Sequence, residues 1–236
     1  MNSSHLAKLM ATALTVGAVM PASAANLNIK VENLTQGIHF TPLLIAAHTP
    51  EAHLFQTGTM ATAELQAMAE GGDISGLSGI VDSVSGDKVE NPADGLLAPA
   101  SYTMTDLMTT DGNTALSIVA MMLPTNDGFI GVDNWMIPET PGTYTIYVNA
   151  YDAGTEANDE IINGGGAPGA PGIPVAPGGN GGMNGSGLTM MEANTYVHIH
   201  PGNIGDDIAD GGKSDLDNTI HRWLNPVAKI TVVVSE

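Results

Sequence analysis

The sequence contains no cysteine and has few basic and few aromatic residues. Without cysteine there can be no disulfide, no thiolate metal site and no cysteine nucleophile. Only six Lys and Arg residues stand against 25 Asp and Glu residues, which gives a formal charge of −19. Nucleic acid and anionic membrane surfaces are poor partners for such a chain. Because no disulfide can form, the stability of the protein must come from packing or from a bound ion.

No apolar stretch approaches the roughly 20 residues that a membrane span requires. The leading run from Leu9 to Met20 follows Lys8 and ends in Ala22-Ser23-Ala24, which is the three-part form of a secretory signal peptide. We therefore predict that residues 1–24 are removed and that residues 25–236 are secreted or periplasmic. Cleavage would remove one lysine and no acid, so the exported part would carry a charge of −20.

The hydrophobic pattern predicts an all-β protein. Ala115 to Leu123 is a continuous apolar run stopped by Pro124, as expected for a strand buried on both faces. Several other segments alternate apolar and polar residues, which is typical of half-buried strands. Together they favour an antiparallel β-sandwich. The alternating segments begin at Leu27, Tyr144 and Tyr196, and a β-branched run from Val227 to Val234 predicts a closing strand.

Two features interrupt the strand pattern. One short helix is predicted from Ala61 to Glu70, where Thr59 can cap the first turn and Gly71-Gly72 can end it. Residues 163–187 are almost wholly Gly, Pro, Asn and Ala, a composition that cannot bury enough apolar surface to fold alone. We interpret them as a flexible insertion in one domain of residues 25–236; a linker between two domains is the alternative.

Acidic residues in two loops form the strongest candidate site. Asp127 and Asp133 lie in the run that follows the buried strand, and Asp152 and Glu156 follow a later strand. Neighbouring glycines let these loops turn sharply and bring carboxylates to one end of a sandwich. Ca²⁺ suits such a site because it takes about six to eight oxygen ligands from irregular loops. The spacing also fits ordinary Asp-Gly turns with solvated side chains.

The same segments resemble the spondin N-terminal domain family. The shared pattern is a proline followed by Asp127, an aromatic residue and Gly131-Val132-Asp133, and later the run Asp152-Ala153-Gly154-Thr155. The similarity continues in Phe40-Thr41-Pro42 near the start and in the run from His221 to Ala228 near the end. Two departures are Gly128, where animal members commonly place an aromatic residue, and the absence of the family's disulfides.

The resemblance implies a fold, a site and a function. The fold would be a sandwich related to C2 domains, and loop aspartates would hold a calcium ion. The best-matched ligand positions are Asp127 and Asp152, while Asp133 and Glu156 match neighbouring acidic positions. The function would be adhesion or matrix binding outside the cell, without catalysis, and the partner would be an extracellular protein or a glycan.

Histidines supply an alternative metal site, for zinc or copper. His198 and His200 would lie on one face of a strand, as in many transition-metal sites. A third ligand would come from one of four other histidines: His39, His48, His53 and His221.

Two other hypotheses, a second calcium loop and a hydrolase function, are less favoured. The acidic run from Asp206 to Asp217 lacks the bidentate glutamate and the spacing of an EF-hand, so we expect a solvated loop. A hydrolase of the cell envelope is disfavoured because no serine lies in a Gly-x-Ser-x-Gly elbow and no phosphate-binding glycine motif opens a helix.

Overall fold

The computed structural model describes residues 24–235, so the predicted signal peptide lies, apart from Ala24, outside the described residues. Residues 24–235 form two antiparallel sheets that pack face to face, with two helices on the outer side of the second sheet. This arrangement confirms the predicted all-β antiparallel sandwich.

The first sheet joins the beginning and the end of the described chain. Its strands are β1 (Asn26–Asn33), β5 (Tyr102–Met108), β8 (Gly142–Val148) and β11 (Ala228–Ser235). Their order is β5-β1-β11-β8. β1 and β11 pair along their whole length, and both alternate buried and more exposed residues as the sequence pattern predicts.

The second sheet is larger and carries the candidate site at one side. Its strands are β2 (His39–Phe40), β3 (Leu44–His48), β4 (Asp87–Glu90), β6 (Ala115–Leu123), β7 (Gly128–Met136), β9 (Ala150–Asp152) and β10 (His198–Ile199). The order is β10-β9-β7-β6-β3-β4, and β2 also pairs with β6. Residues after the Gly/Pro-rich insertion therefore supply one strand to each sheet.

Strand β6 is buried over its full length because it lies between two apolar layers. Ile118 and Met122 pack in the core between the two sheets. Val119 and Met121 face the other way, into a second core beneath the helices. The continuous apolar run in the sequence thus reflects a strand covered on both faces.

The helices differ from the sequence prediction in two respects. α1 (Ala63–Gly71) is capped by Thr62, whose hydroxyl accepts from the Leu65 N–H at 3.2 Å, and not by Thr59. A second helix, α2 (Ser75–Ser83), was not predicted. Its two glycines give it weak helix propensity. Burial of Leu77 and Val81 against α1 and the sheet supplies the missing stability, which local sequence does not reveal.

The Gly/Pro-rich insertion lies against the domain and is tied to it by backbone hydrogen bonds. The N–H of Gly169 donates to Glu70 on α1 at 2.6 Å, and that of Gly172 donates to Glu156 at 2.9 Å. These bonds place the insertion next to the candidate site. Its flexibility stays a prediction.

Candidate metal centre at the acidic end of the sandwich

Strand pairing brings Asp127 and Asp152 to the same end of the second sheet. Asp127 immediately precedes β7, and Asp152 is the last residue of β9. β9 runs antiparallel to β7, with Gly128 opposite Asp152. The Ala153 N–H donates to the Asp127 carbonyl at 3.2 Å, which holds the two loops together. Antiparallel register therefore explains why two residues 25 positions apart in sequence become neighbours.

The Asp127 carboxylate is fully buried and has one oxygen without a partner. Its Oδ2 accepts from the backbone N–H groups of Thr155 at 2.8 Å and Glu156 at 3.1 Å, and from the Thr155 hydroxyl at 3.2 Å. Its Oδ1 is buried and has no hydrogen-bond partner among the described residues. A buried carboxylate oxygen left unpaired is costly, so this atom marks a place where a further group would be stabilising.

Asp152 is also fully buried, and the turn after it depends on glycine. Its Oδ1 accepts from the Gly154 N–H at 2.8 Å, and its Oδ2 accepts from the Asn158 amide at 2.7 Å. Gly154 has φ +70°, and a Cβ there would lie 2.7 Å from the Asn194 carbonyl oxygen. Only glycine fits both conditions, which accounts for the Asp-Ala-Gly run.

Burial disfavours ionisation of both carboxylates, and the charge of Asp152 adds to this effect at Asp127. Burial, together with the charge of Asp152, raises the pKa of Asp127 to about 8, although the hydrogen bonds from Thr155 and Glu156 act in the opposite direction. Burial also raises the pKa of Asp152. Within residues 24–235 neither forms an ion pair with Lys or Arg, and only His198 approaches, at 3.8 Å from Asp152. The pair thus favours either a proton or a cation.

Glu156 lies beside this pair, but its carboxylate extends toward the insertion. Its Oε2 accepts from Gly172 N–H at 2.9 Å, whereas its Oε1 is buried without a partner among the described residues. Burial, with the charges of Glu70 and Asp159, raises the pKa of Glu156 to about 7. Glu156 is therefore next to the Asp127 loop through its backbone and belongs to a second acidic group through its side chain.

Asp133 is not brought to this site. Its carboxylate bonds to the His53 ring and accepts from the Leu54 N–H at 2.9 Å. The pairing of β6 with β7 is interrupted here, since Leu116 lies opposite Trp135 and Ile118 opposite Val132, so that two residues of β7 oppose one of β6. This β-bulge redirects the side chain. The structure thus unites Asp127 with Asp152 and leaves Asp133 in the middle of β7.

A cation at this site would need ligands beyond side-chain carboxylates. Among residues 24–235, no three Asp, Glu or His side chains are arranged to hold a metal ion by themselves. Calcium commonly completes its shell with backbone carbonyls and water. The unpaired Asp127 oxygen beside a second buried carboxylate fits a hard cation of this kind.

Each histidine of the pair uses its Nδ1 in a hydrogen bond, and the Nε2 of His200 is buried without a partner among the described residues. The Nδ1 of His198 lies 2.8 Å from the Tyr196 carbonyl oxygen, so this nitrogen carries a proton. His200 is buried, and its Nδ1 accepts from the Gly202 N–H at 2.9 Å. The proton of neutral His200 must then be on Nε2, which a metal would otherwise use. Binding a transition metal through His200 would break the bond to Gly202.

Of the four other candidate histidines, His48, His53 and His221 have partners of their own, whereas the Nδ1 of His39 is buried without a partner among the described residues. The Nε2 of His48 lies 2.7 Å from the Ser117 hydroxyl, and the Nδ1 of His221 accepts from the Asp217 N–H at 3.0 Å. In the second acidic run, Asp206 accepts from three backbone N–H groups and Asp215 accepts from two. These carboxylates organise the turns of that loop.

Three side chains that support the site were not predicted. Asn158 donates to Asp152, and Asn126 donates to Asp159 at 2.8 Å while accepting from the Glu160 N–H at 3.2 Å. Both asparagines lie within six residues of a predicted ligand, which is the only sequence signal for them. Glu70 comes from α1 and carried no such signal, because its position depends on helix docking.

The architecture is that of a β-sandwich domain with a buried acidic pair at its loop end. The chain belongs to the spondin N-terminal domain family, since the family model Spondin_N matches residues 32–160. This match ends before the insertion, so the similarity noted from His221 onward lies outside it. Comparison with curated proteins finds no significant match.

Family membership indicates an extracellular-type binding module of a generally non-catalytic kind. The helices of residues 24–235 are all too short or too polar to cross a membrane.

Proposed function

We propose that this chain is a secreted or periplasmic binding module without catalysis, and that Asp127 and Asp152 hold a calcium ion which orders the loop end of the sandwich. The observation that carries the proposal is the buried, unpaired Oδ1 of Asp127 beside the buried Asp152 carboxylate. Family membership supports the extracellular role.

Calcium is favoured over a proton because a single proton would neutralise only one of the two buried carboxylates. If Asp127 were protonated, the Asp152 carboxylate would still carry a buried negative charge without a Lys or Arg partner among residues 24–235. A divalent ion beside Oδ1 would balance both negative charges and use the free lone pairs. The nearest further oxygen ligands in sequence are the Glu156 carboxylate and the backbone carbonyl groups of residues 124–127 and 153–156.

Calcium is also favoured over zinc and magnesium. Zinc prefers nitrogen and sulfur ligands in a tetrahedral shell, and the near histidine, His198, directs its Nδ1 proton to Tyr196. Magnesium requires a nearly regular octahedral shell and retains several waters. Irregular loops with carboxylates and carbonyl oxygens suit the larger and more adaptable Ca²⁺ ion.

Thermal and denaturant unfolding with calcium, magnesium, zinc or excess chelator would test the proposal. A ligand that binds only the folded chain at 100 times its dissociation constant adds about 2.7 kcal/mol to the free energy of unfolding. We expect that gain with calcium and its removal by chelator. Identical unfolding with calcium and with chelator would show that Asp127 and Asp152 form no calcium site.

A further inference from the structure

Aromatic side chains are few in this chain but concentrated on one surface. The sequence has three Phe, two Trp and five Tyr residues. Half of them line a single groove, namely Phe55, Trp135, Tyr147, Tyr151 and Tyr196. Core packing does not explain the outer members, because Tyr147 is 65% exposed and Tyr196 is 51% exposed. Exposed aromatic residues gathered in a concave surface indicate a binding site.

The groove consists of three adjoining cavities that all include Tyr151. The cavity of about 580 Å³ also includes Tyr196 and His198, and the cavity of about 360 Å³ includes His53 and Gln56. The third, of about 410 Å³, includes Trp135 and Tyr147. Each is widely open to solvent, so together they form a shallow surface groove and not an enclosed pocket. Because the cavities meet at Tyr151, the groove suits a ligand made of several linked units.

Tyr151 is held in place from the protein side. Its ring stacks on the Phe129 ring, with the ring centroids 5.7 Å apart and the ring planes at 30°. The centroid of the Phe55 ring lies 5.1 Å from that of Tyr151. Phe129 is fully buried, whereas Tyr151 remains half-buried. One side of the tyrosine thus rests on the core while the ring still lines the groove. A fixed ring loses little conformational entropy when a ligand stacks on it.

The polar groups of the groove are mostly uncharged hydrogen-bonding groups. They come from four separate segments and include Gln56, Thr57, Asn149, Asn194 and His198. Asp133 is the only acidic residue of the lining, and no Lys or Arg contributes to it. Sulfated or phosphorylated ligands need basic partners, so this lining disfavours them.

We propose that this groove binds a neutral oligosaccharide, with the Tyr151 ring as its central stacking platform. A pyranose ring offers an apolar C–H face to an aromatic ring and hydroxyl groups at its rim to amides and imidazoles, which is the mixture found in the groove. The proposal deepens the proposed binding function by naming the partner's chemistry. It does not require the calcium ion.

Calorimetric titration of the intact protein, with tryptophan fluorescence as a second readout, tests the groove. The probes are hexasaccharides of cellulose, mannan, laminarin, xylan and chitin, together with a heparin hexasaccharide and a proline-rich decapeptide. Each titration is made both with calcium and in excess chelator, so that loss of loop order without the ion cannot be mistaken for failure of this proposal. We expect millimolar or tighter binding of at least one neutral hexasaccharide and none of the heparin fragment.

Variants then locate the binding. Tyr147→Ala and Tyr196→Ala, which remove exposed rings without opening the core, should each weaken binding several-fold. Tyr151→Ala should weaken it about tenfold and Tyr151→Phe should not. Tyr102→Ala is the matched control because Tyr102 is 59% exposed but lies on β5 of the first sheet, outside the groove.

Three results would overturn the proposal. The first is the absence of binding to every neutral hexasaccharide. The second is binding of the heparin fragment or the peptide in their place. The third is an equal loss of affinity in Tyr102→Ala and in the two exposed groove variants. Melting temperatures of all variants show whether each is folded, and the exposed-ring variants keep the test valid if Tyr151→Ala is unstable.

Discussion

At the scale of single residues, the position of Gly128 is explained by its neighbours. A Cβ on residue 128 would lie 2.7 Å from the Thr125 hydroxyl and 3.1 Å from the His200 ring. His200 in turn packs against Trp223, with ring centroids 5.1 Å apart. In this chain the His200 and Trp223 rings fill space beside a glycine.

The first prediction concerns Asp152→Asn. Asparagine keeps the shape and the acceptor for the Gly154 N–H, and the Asn158 amide can turn over to accept from the new NH₂ group. The loss of one charge weakens the attraction for Ca²⁺ and relieves repulsion with Asp127. We expect the variant to lose calcium-dependent stabilisation, while its stability in chelator equals or slightly exceeds that of the wild type. Urea unfolding in both conditions measures this.

The control for Asp152→Asn is Asp106→Asn, which changes the same group at an exposed position on β5. It should retain the full calcium effect. A calcium effect that persists in Asp152→Asn, or disappears in both variants, would contradict the assignment.

The second prediction concerns acid stability and His200. Burial, followed by the charge of His198, lowers the pKa of His200 to about 3, whereas an unfolded histidine titrates near about 6.5. Between about pH 3 and pH 6.5, the unfolded chain therefore binds a proton at His200 that the folded chain does not bind. The stability that neutral His200 contributes is therefore fully present above about pH 6.5 and is lost as the pH falls toward 3.

His200→Asn tests that cause, because asparagine keeps an acceptor for the Gly202 N–H but cannot titrate. The slope of the unfolding free energy against pH, measured between pH 6 and pH 4, should decrease by up to about 1.4 kcal/mol per pH unit. Other groups also contribute to the slope, and the lowered pKa of His221 acts in the same direction as that of His200. The raised pKa values of Asp127 and Glu156 act in the opposite direction, so the test is the difference between the two proteins. Equal slopes in both proteins would show that His200 is not the titrating group.

At the scale of secondary-structure elements, the third prediction concerns the start of α1. Thr62 accepts from the Leu65 N–H at the helix N-terminus, whereas the Thr59 hydroxyl donates to the Gln56 carbonyl in an exposed turn. Thr62→Ala should therefore cost about 1 kcal/mol of unfolding free energy. Thr59→Ala is the matched control and should change it by less than about 0.5 kcal/mol. Chemical unfolding of both variants decides, and the reverse order would favour Thr59 as the cap.

At the scale of the whole molecule, the fourth prediction concerns cooperativity. β11 pairs with β1 along its whole length and with β8, so the last strand completes the sheet formed by the earlier chain. We expect one unfolding transition, with coincident curves from far-UV circular dichroism and tryptophan fluorescence. Truncation before Ala228 should abolish it, because Ile230 and Val232 would leave the core. Two separated transitions would instead support two domains joined by residues 163–187.

Local sequence was enough to predict the strands of the sandwich and the fully buried strand β6, whereas the approach of Asp127 and Asp152 also depends on the register between β7 and β9. Periodicity of two, a continuous apolar run and the Gly154 turn are properties of neighbouring residues, and they act whatever the distant chain does. The same locality explains the error at α2, whose weak helix propensity is outweighed by the burial of Leu77 and Val81.

Tertiary structure alone decided where the remaining acids lie. Asp133 lies away from the site because it stands further along the extended strand β7, at about 3.3 Å per residue, where it bonds to His53. Glu156 turns toward the insertion because the Gly172 N–H is there. Glu70 reaches the same region only through helix docking. Each outcome depends on strand register or on a contact between distant segments, and neither is encoded in the spacing of a few neighbouring residues.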